Sequence, residues 1–183
     1  ASTVIHEAYT DDAKYDDEYD LSKQILGTVE YEGQTYELIS KSGSAVSGTV
    51  KGDVEITLVY SLDADEDTTP DKYEATVTYE VVNGTFAEGE TTVTQEYVLA
   101  EENEEDGTWT EATRNLENIP VPTANEGYGN GGWDVTPTTE TVVEDGAKYT
   151  YTYTANDQTL RVNYVMDDEA STVIHEAYTD DAK

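Results

Sequence analysis

The stretch "YTYTYT", Tyr149 to Thr154, alternates aromatic and polar residues without a fault. A period of two puts successive side chains on opposite faces of an extended chain, so these tyrosines can share a buried face only as a strand. The same alternation runs through "VEITLVYSL" (Val54 to Leu62), "YEATVTYEVV" (Tyr73 to Val82), "TTVTQEYVLA" (Thr91 to Ala100) and "RVNYVM" (Arg161 to Met166). Turn chemistry separates the runs, with "EG" at Glu32 and Glu88, "NG" at Asn83, and "DG" at Asp106 and Asp145, all read as hairpin signals. One short helical turn is expected at "DLSKQILG", with Asp20 capping its start and Gly27 ending it in the left-handed conformation. The expected class is mainly β: two β-grasp-like or β-sandwich-like modules in tandem, with at most one short helix each.

The first fourteen residues, "ASTVIHEAYTDDAK", recur unchanged as Ala170 to Lys183. A match of that length marks a period of 169 residues in a tandem repeat. Between two strand-rich stretches, the acidic segment "DADEDTTPDK" (Asp63 to Lys72) reads as a linker. The expected organisation is a first module over 1–62, a linker over 63–72, a second module over 73–156, and the start of the next first module over 157–183. On this division the first module lacks its opening strand, which stands at Leu160 to Met166 as an orphan within the chain. An unpaired edge and an orphan strand complement one another between chains, so neighbouring repeats, head to tail, are the expected partners.

Charge narrows the other partners. Forty-one acidic against nine basic side chains give a net charge of -32, the wrong sign for nucleic acid or an anionic membrane and the right one for cations. No apolar stretch reaches the roughly 18 residues of a membrane span. Cysteine is absent, which excludes disulfides and thiolate metal sites. No basic-then-apolar leader or sorting signal is present, so targeting elements are expected outside this sequence.

Joined across the period, the first module shows an opening strand with an acidic turn (Val162 to Val165, Asp167 and Asp168). A tyrosine step follows (Tyr19 with Leu21), then "GQTYELIS" (Gly33 to Ser40) and "SGTVKGDVEITLVY" (Ser47 to Tyr60). In this order the parts resemble the mucin-binding-protein (MucBP) repeats of Gram-positive surface adhesins. The opening turn lacks that family's Gly, and two residues separate Gly33 from Tyr36. The resemblance implies a β-grasp-like sheet with one short helix and a final hairpin from Ser47 to Tyr60. It further implies a bacterial, extracellular, cell-surface or wall-attached location, and mucin glycans as a candidate ligand. The second module, through "VVNGTFAEG" (Val81 to Gly89), "GYGNGGWD" (Gly127 to Asp134) and its terminal Tyr-Thr strand, resembles the partner repeats beside such modules, related to the internalin-type B-repeat. Neither resemblance implies catalytic residues.

Little chemistry is available for an enzyme, and none is expected. His6 and His175 are one repeat position seen twice, with no partner at metal-ligand spacing. Paired carboxylates arise by accident on so acidic a surface. The lysines of one repeat (Lys14, Lys23, Lys41, Lys51, Lys72 and Lys148) sit in polar surroundings, mostly near turns, so no isopeptide crosslink is expected. Tyr128 and Trp133, on the Gly-rich "GYGNGGW", are candidates for stacking on a sugar ring; the alternative is that Trp133, like Trp109, fills the core of a small module. Asp63, Asp65, Asp67, Thr69, Asp71 and Glu74 occupy positions 1, 3, 5, 7, 9 and 12 of a calcium-loop pattern. Against calcium, the sixth position is Thr68 rather than Gly, Pro70 restricts the loop, and strands flank it; a solvated acidic linker is the alternative. The run over Asp11 to Asp20 offers carboxylates without recognisable loop geometry, and Glu101 to Asp106 reads as a solvated hairpin tip. The expected function is a stalk repeat holding a distal domain away from the cell, with a glycan-binding module acting through avidity as the alternative.

Overall fold

A computed structural model describes residues 3–167 and 173–182. Asp168 of the opening turn and residues 1, 2, 170–172 and 183 of the duplicated segment lie outside the described residues. The described chain is mainly β, and its helical elements are three single 3-10 turns. It divides into two compact units, each discontinuous in sequence.

The first unit comprises residues 1–77, 95–116 and 140–147. Its strands begin with β1 (Glu18–Asp20), β2 (Thr28–Tyr31), β3 (Gln34–Gly43), β4 (Ser47–Thr49) and β5 (Ile56–Asp63). Strands β2 and β3 form a hairpin whose tip, Glu32 (φ 52°) and Gly33 (φ 78°), has positive φ at both central residues, the twist that suits a two-residue connection. Strand β5 pairs antiparallel with β3 from Gly43↔Ile56 to Thr35↔Asp63, across a bulge between Leu38 and Ser40. Leu38, Val29 and Val50 are buried in this unit.

Two expectations for this stretch are corrected. Strand β4 pairs with β1, Tyr19 opposite Gly48, so Ser47 to Tyr60 does not form the final hairpin. The Tyr19 ring lies over Gly48, and its hydroxyl donates to the Ala45 carbonyl at 3.0 Å, drawing β4 away from β5. The helical turn reduces to Ser22–Gln24. Asp20 Oδ1 accepts from the Ser22 backbone at 2.9 Å, but the turn ends on extended Ile25, not on a left-handed Gly27. Leu38 N–H donates to the Gly27 carbonyl at 2.7 Å, tying that residue directly to the sheet.

The division into units runs along other lines than the sequence boundaries. Strand β6 (Glu74–Val82) passes from the first unit into the second between Val77 and Thr78. The first unit also takes in β9 (Ala100–Asn103) and β10 (Thr108–Glu111), a hairpin turning at Gly107, together with residues 140–147. Specific bonds place them there. Leu99 N–H donates to the Tyr73 carbonyl, Gly146 N–H to that of Thr76, and Thr76 N–H to Asp145, while Lys41 pairs with Asp106 at 2.8 Å. The Asp145–Gly146 signal therefore serves this contact rather than a hairpin.

The second unit comprises residues 78–94, 117–139 and 148–183. Strands β7 (Gly84–Thr85) and β11 (Thr123–Ala124) pair with each other, and a four-stranded sheet runs in the order β12 (Tyr128–Trp133), β13 (Ala147–Ala155), β6, β8 (Thr92–Val98). The Asn83–Gly84 pair, expected as a hairpin tip, instead bends the chain out of β6 into β7, and the 3-10 turn Ala87–Gly89 precedes β8. Gly84 is needed there because a Cβ would meet the Thr123 carbonyl oxygen at 2.6 Å and the Tyr153 ring at 2.8 Å. The core is aromatic. Tyr79, 0% exposed, stacks on Tyr149 with centroids 5.6 Å apart, and Trp133 meets both Tyr79 and Tyr151 edge-on.

Within this unit β14 (Gln158–Val165) pairs antiparallel with β15 (Val173–Ala182), from Gln158↔Ala182 to Val165↔Val173. The strand expected to be an orphan is therefore paired, and its partner is the second copy of the duplicated segment. The first copy, over its described residues 3–14, forms no strand. Identical residues thus take two structures here: residues 173–182 pair with β14, and residues 3–14 pair with no strand among the described residues.

Candidate metal centre

The acidic loop after β5 is anchored at both ends in the first unit. Asp63 is the last residue of β5, opposite Thr35, and is only 1% exposed. Pro70 is fully buried and opens the 3-10 turn Asp71–Tyr73, where Tyr73 N–H donates to the Pro70 carbonyl at 2.8 Å. Tyr73 is buried, stacked on Trp109 at 5.7 Å. The ends of the expected linker therefore belong to a packed body, and only its middle, residues 64–68, is solvated throughout.

Between these anchors the loop folds back on itself. Glu66 (φ 62°) and Thr68 (φ 80°) both take positive φ. For a β-branched threonine that is a costly conformation, of order 1–3 kcal/mol. It falls on the sixth position of the loop, where the calcium pattern calls for Gly, so the chain makes the required bend without the expected residue. Thr68 N–H, turned inward, donates to Asp63 Oδ2 at 3.0 Å; Ala64 N–H donates to Asp71 Oδ1 at 2.7 Å, and Thr69 N–H to Asp67 Oδ1 at 2.7 Å.

These bonds aim the carboxylates at common points. Asp63, Asp65 and Asp71 offer oxygens within 4.8 Å of one another, and so do Asp65, Asp67 and Glu74, with Asp65 common to both groups. Asp63 Oδ1 is buried and has no hydrogen-bond donor. A buried carboxylate oxygen without a donor is costly, and more so among four further carboxylates. Among the described residues no Lys or Arg pairs with any of the five. Lys72, within the loop, turns instead over the Tyr73 ring at 4.5 Å. The strain registers at Glu74, whose carboxyl is held above its usual range by burial first and then by Asp65, Asp67, Asp71 and Asp63. Burial also raises the Glu37 carboxyl, with smaller contributions from Asp63 and Glu102.

All the donors are oxygen, which selects a hard cation. Calcium, bound by six to eight oxygens at about 2.3–2.6 Å, spans oxygens up to about 4.8 Å apart and tolerates irregular geometry. Thr69, at position 7 of the pattern, supplies a carbonyl in such loops. Sequence spacing picked out the five carboxylates that the structure brings together; the burial of Asp63 was not legible, because it depends on pairing with Thr35, far back in the chain.

The candidate glycan residues are placed differently. They lie at the two ends of strand β12, not on a flexible loop. Trp133 is half-buried and committed to Tyr79 and Tyr151, while Tyr128 is 36% exposed. Gly131 gives the neighbouring rings room: a Cβ there would lie 2.2 Å from the Tyr151 ring. Trp109 packs on Tyr73, as noted. His6 and His175 are exposed, each with Nδ1 2.9 Å from the carbonyl of the following Glu.

Fold and site together define a mainly β chain with an anchored, all-carboxylate loop. Comparison with protein-family models, with curated proteins and with solved structures finds no match.

Proposed function

We propose that this chain is a structural repeat of an extracellular array, a stalk segment of a bacterial surface adhesin that holds a distal domain away from the cell, and that calcium bound at the Asp63–Glu74 loop rigidifies it. The observation that carries this reading is the buried, donorless Asp63 Oδ1 among Asp65, Asp67, Asp71 and Glu74. A carboxylate cage of this kind is destabilising until a cation fills it, and a loop partly open to water suits the submillimolar to millimolar calcium found outside cells.

The 169-residue period supports the array, and the large negative charge supports its extension, since like-charged neighbours repel. The MucBP resemblance supports the bacterial surface. The test is mechanical: a concatenated array of this repeat is pulled in a force spectrometer with calcium and with chelator. The reading expects a higher unfolding force with calcium and no binding of a single repeat to a mucin-glycan array. Equal forces in the two buffers, or glycan capture by one repeat, overturns it.

A further inference from the structure

We propose that Asn130 is a self-modification site, whose side-chain amide condenses with the backbone nitrogen of Gly131 and is converted with time to aspartate and isoaspartate. Four pairs in the chain, Asn83–Gly84, Asp106–Gly107, Asn130–Gly131 and Asp145–Gly146, place a side-chain carbonyl group one residue before a glycine. Glycine lacks the Cβ that hinders closure of a five-membered ring between such a side chain and the next backbone nitrogen. By sequence all four pairs are therefore candidates, and the structure separates them.

In three of them the side chain is held. Asn83 Nδ2 donates to the Tyr153 carbonyl at 3.0 Å, and Gly84 after it is buried. Asp106 Oδ1 accepts from the Thr108 amide at 3.1 Å and hydroxyl at 2.7 Å, while Oδ2 pairs with Lys41. Asp145 Oδ1 accepts from Thr76 N–H at 3.0 Å. Asn130 is exposed, and among the described residues nothing bonds its side-chain amide; only its backbone carbonyl is engaged, 3.3 Å from the Thr154 hydroxyl. It also stands where the ladder is broken. Gly129 pairs with Thr154 and Gly132 with Thr152, so Asn130 and Gly131 together face Tyr153 across a bulge, on β12 at the edge of its sheet. Packing fixes both members of the pair. A Cβ at Gly131 would lie 2.2 Å from the Tyr151 ring and 2.7 Å from that of Tyr153, and Asn130 takes φ 44°, which asparagine tolerates better than most residues.

The conversion needs water and no other reactant. The Gly131 nitrogen bonds to Asn130 Cγ and its proton ends on Nδ2; the Cγ–Nδ2 bond breaks, and ammonia leaves. Water then opens the ring. Addition at Cγ breaks its bond to the Gly131 nitrogen and gives aspartate, whereas addition at the main-chain carbonyl gives isoaspartate, in which the chain runs through Cβ and Cγ. Either product adds a negative charge to β12, and isoaspartate also lengthens its backbone by one carbon, on the strand that carries Trp133.

The test ages the full chain at about pH 8 and about 37 °C, folded and in urea, and follows it by trypsin digestion and mass spectrometry, since each conversion exchanges an amide NH2 for OH and adds about 1 Da. Cleavage after Lys72, Arg114 and Lys148 puts Asn83 and Asn130 in separate peptides, 73–114 and 115–148, and fragment spectra assign the position within each. In the folded chain Asn130 should convert at least about tenfold faster than Asn83, whose hydrogen bond must open first. In urea the two rates should converge to within about threefold, because both pairs then lie in an open chain. Asn130→Gly keeps the positive φ and removes the amide, so peptide 115–148 of that variant should stay without the added mass at this position while Asn83 behaves as before. Asn83 converting as fast as Asn130 in the folded chain overturns the assignment. So does an Asn130 that converts in urea and not in the folded chain, or peptide 115–148 of N130G gaining mass at the parental rate.

Discussion

Asp63→Asn separates an ion cage from an ordinary acidic turn by changing the sign of the effect with calcium. Asparagine keeps an oxygen for Thr68 N–H, bonded at 3.0 Å, and removes one buried charge. At 4.8 Å, the outer separation of the Asp63, Asp65 and Asp71 oxygens, two unit charges repel by about 3.5 kcal/mol at an effective dielectric of about 20. Solvent at exposed Asp65 and half-buried Asp71 reduces this to about 1 kcal/mol per pair, so without calcium the variant should be more stable than the parent by about 1–2 kcal/mol. With calcium the order reverses. An ion at 100 times its dissociation constant stabilises the parent by about 2.7 kcal/mol, which the variant forfeits in large part. The assay is thermal unfolding of both proteins in chelator and in 10 mM calcium; at about 2–4 °C per kcal/mol for a chain of this size, the parent should gain about 5–10 °C from calcium and the variant little. A variant less stable than the parent in chelator, or one that keeps the full calcium gain, refutes the reasoning.

The pH dependence should carry the same signature. The folded state holds the Glu74 proton above the group's ordinary value, so it binds more protons than the unfolded chain in that window; without calcium, stability should fall as pH rises through the elevated pKa, and saturating calcium should reverse the slope because protons then compete with the ion. Asp106 behaves oppositely: its bonds to Lys41 first and then Thr108 lower its carboxyl to about 2, so its contribution is present above the ordinary value near 3.8 and is lost as pH falls toward 2, measurable by carboxyl NMR titration and reduced in Lys41→Ala, where the Thr108 bonds remain. Gly131→Ala, whose Cβ would lie 2.2 Å from the Tyr151 ring and 2.7 Å from that of Tyr153, should lower stability by about 1–3 kcal/mol, whereas Gly132→Ala, with nothing within 4 Å, should cost less than 1; urea titration compares them. Trp133→Ala should destabilise by about 2–3 kcal/mol by removing a half-buried ring, and Tyr128→Ala by less than 0.5.

What the sequence discloses here is mostly local. Alternation located β5, β6, β8, β13 and β14, and in β6 it also located the core, since Ala75, Val77, Tyr79 and Val81 are its buried residues. Which strand meets which depended on long-range contacts that no period encodes. Tyr19 captures Gly48 and removes β4 from its expected hairpin; the Gly146 amide, bonded to Thr76, brings a distant turn into the first unit. Asn83–Gly84 carries a hairpin signature and still bends the chain into β7, because Tyr153 and Thr123 crowd Gly84 and Asn83 Nδ2 donates to the Tyr153 carbonyl at 3.0 Å. At the acidic loop the spacing of carboxylates was legible and the bend at Thr68 was not, since the inward Asp63 carboxylate holds that amide where Gly would otherwise be expected. The duplicated fourteen residues make the same point most plainly: one sequence is a strand beside β14 and, over residues 3–14, no strand.

A calcium titration followed at backbone amides tests the cage most directly. The N–H groups of Thr68, Ala64 and Thr69 bond the carboxylates of Asp63, Asp71 and Asp67, so their resonances report any charge that enters between those groups. The cage predicts that the three amides shift together along one saturating curve with a midpoint near or below a millimolar, and that Asp63→Asn abolishes the shifts. Shifts that grow without saturation and spread evenly over the acidic surface, or no shift at these amides by 10 mM calcium, would contradict it.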